Sequence, residues 1–243
     1  MNFLEFKNTL FEIIVKKVGN DHVVSLKKIQ KNNGVYYEGI VIMNKKDNIA
    51  PAFCLENYYE EYMAGSSLNE IADDIITVNE NNGIHRLDAD PCDFESIKHS
   101  IMFKLINYDM NSAILREVPF RRFMDLAMVY YIYVDGGENK KAGILIRNEH
   151  LGKLGVDRTV IDYYANMNTP IIEPVNVFSM EEIMKDTAFS TDGKMHILTN
   201  SSSYYGAACL AYPGIEEVLD RVYGSDLYIL PSSVHECATC SAA

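Results

Sequence analysis

The sequence predicts an α+β protein, with a mostly antiparallel sheet, amphipathic helices packed on it, and an N-terminal helix followed by a β-hairpin. Three observations predict this class. Apolar residues of the first 18 positions recur at helical spacing, and two β-rich runs flank Asn32-Asn33-Gly34. The second half sets strand candidates side by side, without the regular strand-helix alternation of a doubly wound sheet.

The opening helix rests on Phe3, Phe6, Leu10, Phe11, Ile14 and Val18, which share one helical face, and Gly19 ends it. The hairpin pairs His22 to Lys31 with Val35 to Met43, because Asn and Gly between them tolerate the positive φ of a tight turn. A short apolar segment, Ile49 to Leu55, leads into a helix from Glu56 to Met63 closed by Gly65. Ser67 and Glu70 have capping-box spacing and begin a further helix that runs to about Thr77.

Residues 79–93 are polar and rich in turn formers. They serve equally as a linker between regions 1–78 and 94–243 or as a long surface loop inside a single domain. Strands are expected at Ser100 to Tyr108, Met124 to Val134, Ala142 to Arg147, Met195 to Asn200, Ala207 to Tyr212 and Asp226 to Leu230. Residues 135–139 should turn the second of these towards the third. Helices are expected at Val156 to Asn168, Ser179 to Lys185 (with a capping box of Ser179 and Glu182) and Gly214 to Tyr223.

Composition bounds function. Apolar residues make up 48% of the 243, enough for a sizeable core, which excludes a wholly disordered chain. Thirty-four acidic against 22 basic residues give a formal net charge of -12, which disfavours nucleic acid and anionic membranes as partners. No apolar run reaches the ~20 residues that span a bilayer, and the first residues lack a secretory signal, so a cytoplasmic protein is expected. Five scattered cysteines do not read as a disulfide framework.

The candidate chemistry is sparse. His235, Cys237 and Cys240 offer ligand types that zinc accepts, but one C-x-x-C is half a site, and no second pair completes it. His235-Glu236 begins like a metalloprotease helix, yet Thr239 stands where the second histidine would be. Ser232 and Ser233 lack the flanking glycines of a nucleophile elbow. Arg147, Asn148, Glu149 and His150 follow a strand candidate, with His150 titrating near neutrality and Glu149 able to orient it; a polar turn explains them as well. Arg116, Arg121 and Arg122 are the one compact basic group, suited to an anion or to neutralising nearby carboxylates. No phosphate loop, dinucleotide fingerprint or calcium loop is present, and no cofactor is expected.

Several stretches together resemble a bacterial family, domain of unknown function 5688. They are Tyr58-Tyr59-Glu60-Glu61, Lys104-Leu105-Ile106-Asn107-Tyr108, Val118-Pro119-Phe120-Arg121-Arg122-Phe123 and Ile146-Arg147-Asn148-Glu149-His150-Leu151. Others are Asn168-Thr169-Pro170, Gly206-Ala207-Ala208-Cys209 with Tyr212-Pro213-Gly214, and the run from Gly224 through Asp226-Leu227-Tyr228-Ile229-Leu230-Pro231 to His235-Glu236. The resemblance implies a family and no activity. Where such relatives read on past His-Glu with more apolar residues, this chain turns to Cys237 and its neighbours, which implies a shortened or divergent end and an uncovered sheet edge near Leu227 to Leu230.

The first reading is a non-catalytic cytoplasmic binding or regulatory protein whose partner is another protein, met through the Tyr-rich, acidic helices between Glu56 and Thr77. The alternative is a hydrolase using Glu149, His150, His235 and Glu236, with or without a metal. Convergence of those four residues separates the two.

Overall fold

The computed structural model describes residues 1–47, 49–82, 90–135, 141–183, 195–224 and 226–242. By contacts the chain divides into one unit of residues 1–90 with 134–142, and another of 91–133 with 143–243.

In the first unit, α1 (Phe3–Val18) starts with Asn2 and Glu5 exchanging side-chain bonds to each other's backbone N–H, and ends at Gly19 with φ 68°. Strands β1 (His22–Gln30) and β2 (Tyr36–Asn44) form the expected hairpin, whose turn holds Asn33 and Gly34 at φ 61° and 69°. Strand β3 (Ala52–Cys54) joins β2, and α2 (Leu55–Met63) and α3 (Leu68–Asn82) follow. Glu70 accepts from the Ser67 N–H and Ser67 from the Glu70 N–H, the reciprocal cap read from the sequence. The core joins Phe6, Leu10 and Ile14 of α1 to Ile40, Ile42, Leu55, Ile71 and Ile75.

The second unit contains the short helix α4 (Phe94–Ile97), β4 (Ile101–Asn107), a helical turn α5 (Ser112–Leu115) and β5 (Phe120–Phe123). Then come β6 (Leu126–Asp135) and β7 (Lys141–Leu145), whose facing ends at 134–142 group with the first unit. Strands β4, β5 and β7 all pair with β6. After α6 (Asn148–Leu154) and α7 (Arg158–Ile172), a second antiparallel sheet is built from β8 (Val175–Ser179), β9 (Met195–Asn200), β10 (Leu227–Pro231) and β11 (Cys237–Ser241), in the order β10-β11-β9-β8. Helices α8 (Met180–Ile183) and α9 (Ile215–Tyr223) complete it. Among the described residues no helix is long and apolar enough to cross a membrane.

The sheets are antiparallel, and the fold class holds. Some elements differ from expectation for identifiable reasons. The strand expected at Ala207 to Tyr212 is a tight 3-10 stretch, Gly206–Ala211. Its small buried residues read as strand by periodicity, yet a Cβ on Gly206 would lie 2.1 Å from Thr199 Oγ1 and 2.5 Å from the His235 carbonyl, so the chain turns here against β9. The strand expected from Met124 begins at Leu126 as β6, because Met124, with φ 54°, lies in the turn that follows β5.

Helix α7, capped by Asp157, runs on through Pro170. Its end is held by side chains: Asn168 Nδ2 donates to the Lys98 and Ile101 carbonyls, and the Phe103 N–H donates to Thr169 Oγ1. These bonds occupy backbone groups beside β4, so the helix gains partners that offset the missing proline N–H. The helix expected from Ser179 starts one residue later, with Ser179 Oγ accepting from the Glu181 N–H. Strands β5, β8 and β11 and helix α6 were not foreseen. The expected turn at 136–139, residues 83–89 of the proposed boundary and the end of the helix at 184–185 lie outside the described residues.

Candidate functional site

The residues singled out in the sequence form distinct groups of bonds, one around Arg116, Arg147, Asn148, Glu149 and His150 and another around Ser232, Ser233, His235 and Glu236. His150 sits in the first turn of α6, where its Nδ1 accepts from the Arg147 N–H at 3.1 Å and its Nε2 is 3.7 Å from Glu149. Accepting that bond requires the neutral ring, and desolvation lowers its pKa despite the opposing charge of Glu149. His235 lies between β10 and β11, where its Nδ1 accepts from the Tyr205 N–H at 3.2 Å. The Glu236 carbonyl accepts from the Ser233 N–H and from Ser232 Oγ, so both serines serve this turn. Among the described residues no hydrogen bond or ring contact links Glu149–His150 to His235–Glu236, and no group of three His, Cys, Asp or Glu is placed to hold a metal ion.

The C-x-x-C is a strand, which changes its chemistry. Residues three apart on β11 point to opposite faces, so Cys237 and Cys240 cannot meet at one ion. Cys237 is fully buried, and burial pushes its thiol up to about 12, as it does for Cys209. Neither is a thiolate near neutrality.

The arginines are divided as well. Arg121 and Arg122 are adjacent on β5 and point opposite ways. Arg121 reaches α7, donating to Asp162 at 3.2 Å and to the Asn166 Oδ1 at 3.3 Å. Arg122 lies over the Tyr108 ring and donates to the Met124 carbonyl. Arg147 pairs with Glu117, and Asn148 Nδ2 donates to the Arg116 carbonyl. These bonds tie α6 and α7 to their neighbours rather than open one anion site. The aromatic face of α2 also turns inward: Tyr59 and Tyr62 pack on Phe6, with ring centroids 5.2 and 5.5 Å away.

A cluster that the sequence reading missed surrounds Lys104. In β4 the residues from Ile101 to Ile106 are apolar and buried except Lys104, which is partly open. Paired positions of an antiparallel ladder share a face, so Lys104 and Met102 stand with Val129 and Tyr131 of β6, away from the face where Tyr130 and Arg121 meet Asp162. The Lys104 ammonium lies 4.1 Å from the centre of the Tyr205 ring. That ring meets Tyr131 edge-on at 5.3 Å, Tyr204 at 4.0 Å, and stacks on His235 at 5.7 Å and 13°. Among the described residues the ammonium has no hydrogen-bond acceptor or counter-charge, and desolvation alone lowers its pKa to about 8.

The loop that carries Tyr205 is constrained. Ser203 and Tyr205 both adopt left-handed backbone, at φ 55° and 57°, which costs about 1 kcal/mol or more each for residues with a Cβ. Asn200 holds them there: its Oδ1 accepts from the Tyr204 N–H and its Nδ2 donates to the Tyr204 carbonyl. Gly143 on β7 leaves room for Tyr131, since a Cβ there would come within 2.8 Å of its ring. The visible sequence signal was one lysine inside Ile101-Met102-Phe103-Lys104-Leu105-Ile106.

Fold and site together define an α+β protein with antiparallel sheets, and with a half-buried lysine over an aromatic group. The chain belongs to a family of unknown function, DUF5688, whose profile matches residues 3–242. No curated protein and no solved structure matches it.

Proposed function

We propose that the protein is a cytoplasmic, non-catalytic binding protein that takes an extended segment of another protein onto the free edge of β10. The observation that carries this reading is the edge itself. Among the described residues strand β10 ends its sheet, and Tyr228, Ile229 and Leu230 are 62%, 39% and 55% exposed beside a row of backbone groups. Soluble proteins protect such edges with charge, bulges or cover, because a bare apolar strand recruits another strand. A partner strand would gain main-chain bonds from the edge and side-chain contacts from Tyr228 and Leu230, the mode of β-augmentation. Free thiols at Cys54, Cys209, Cys237 and Cys240 suit a reducing compartment.

The test is a library of extended apolar peptides screened against the purified protein. Binders should lose at least about tenfold affinity to an Ile229→Lys/Leu230→Lys variant, whose edge is charged, and keep it with a Tyr163→Ser/Ile171→Ser variant of the exposed face of α7. Equal binding to the β10 variant, or self-association abolished by it in place of peptide binding, overturns the reading.

A further inference from the structure

The cluster around Lys104 has no part in docking at β10, and its chemistry is distinct. An ammonium in a β-strand core is ordinarily paired, since an uncompensated buried charge is costly. Lys104 has the face of Tyr205 in place of a counter-ion, and its side chain retains partial exposure. The titratable groups that surround it are Tyr131 from β6, Tyr204 and Tyr205 from the loop after β9, and His235 from the turn before β11; Glu173 acts on Tyr131. Tyr131 and Tyr205 are both held neutral by burial, so neither provides an anion.

We propose that Lys104 is a reactive amine that condenses with the carbonyl carbon of a planar aldehyde, whose ring lies against the aromatic group formed by Tyr204, Tyr205 and His235. The neutral Nζ adds its lone pair to the carbonyl carbon as the C=O π pair moves to oxygen, and a proton passes from nitrogen to oxygen to give a carbinolamine. The C–O bond then breaks, the hydroxyl leaving as water with the second nitrogen proton while the nitrogen lone pair forms C=N, so one water is released and nothing is oxidised or reduced. The apolar setting favours the step twice. It holds a share of the amine neutral near physiological pH, and it lets the cationic form of the imine inherit the position over the Tyr205 ring.

The probe is benzaldehyde with cyanoborohydride, which fixes any Schiff base as a stable secondary amine that peptide mass spectrometry can place. At about pH 7.5 Lys104 should be labelled at least about ten times faster than exposed Lys16 and Lys45, with a rate that rises to half its maximum near pH 8. The adduct should vanish in Lys104→Met, and Tyr205→Leu should slow its formation by a larger factor than it slows that with acetaldehyde, which has no ring to stack. Labelling no faster than that of Lys16 and Lys45, or labelling only after the protein is unfolded, overturns the proposal.

Discussion

Arg121 and Lys104 stand on opposite faces of the sheet built on β6, and the two are treated in opposite ways. Arg121 is met by the Asp162 carboxylate, the Asn166 amide and the Met128 sulfur, and Asp162 also accepts from the Tyr130 hydroxyl. Arg121 and Tyr130 thus share the Asp162 carboxylate, and the result is a helix fastened to a strand. Lys104, on the other face, has an aromatic ring and, among the described residues, no acceptor. A paired charge is a fastening, because its removal leaves a partner unsatisfied. An unpaired one costs stability and leaves a nucleophile with a depressed pKa, which is how reactive lysines are made. The comparison therefore assigns structure to the α7 face and chemistry to the opposite one.

The largest expected effect falls on the loop over Lys104. Gly206→Ala would place a methyl group against Thr199 Oγ1, the His235 carbonyl and the Asn200 nitrogen, two of them backbone atoms that have little room to yield. A loss of about 3 kcal/mol or more in chemical denaturation is expected. Next, Asp162→Ala removes the shared acceptor of Arg121 and Tyr130 and should cost about 2–3 kcal/mol by the same measurement.

Lys104→Met should have the opposite sign, with a gain of about 2 kcal/mol at neutral pH as the desolvated charge is replaced by an apolar side chain of similar length. Its pH dependence fixes the cause. Below about 8 Lys104 is charged in both states, and burial penalises the folded one; between there and the ordinary 10.5 the unfolded chain binds more protons, so stability rises with pH. The wild type should show that rise, and Lys104→Met should lack it.

The smallest effect is at His150, where the direction is again set by burial. Above the ordinary value of 6.5 the ring is neutral in both states and contributes no slope. As pH falls below that value the unfolded chain takes up a proton that the folded chain resists, so stability declines until the lowered folded pKa is passed. His150→Gln should remove that decline, which is small given the partial exposure of the ring. A larger change would mean that His150 does more than cap α6.

Local rules made much of the fold legible. Asn33-Gly34 announces a turn because positive φ is a demand on two residues, and Ser67 with Glu70 announces a helix start because both bonds close within four. The family was legible too, through strings such as Asn168-Thr169-Pro170, whose Asn and Thr hold α7 beside β4. Residues whose meaning depends on distant neighbours were not. Cys237 and Cys240 read as half a zinc site at most, and β11 places them on opposite faces. Ala207 to Tyr212 reads as a strand until Thr199 and His235 close around the preceding Gly206. Lys104 reads as an ordinary strand lysine until Tyr205, far along the chain, covers it.

The most direct test of that contrast is the titration of Lys104 itself, followed by NMR at the ε-carbon of lysine-labelled protein and assigned with Lys104→Met. The account predicts a midpoint near 8, with the signal absent from the variant; a midpoint at the ordinary 10.5 would mean that the ammonium is solvated or paired, and would contradict it.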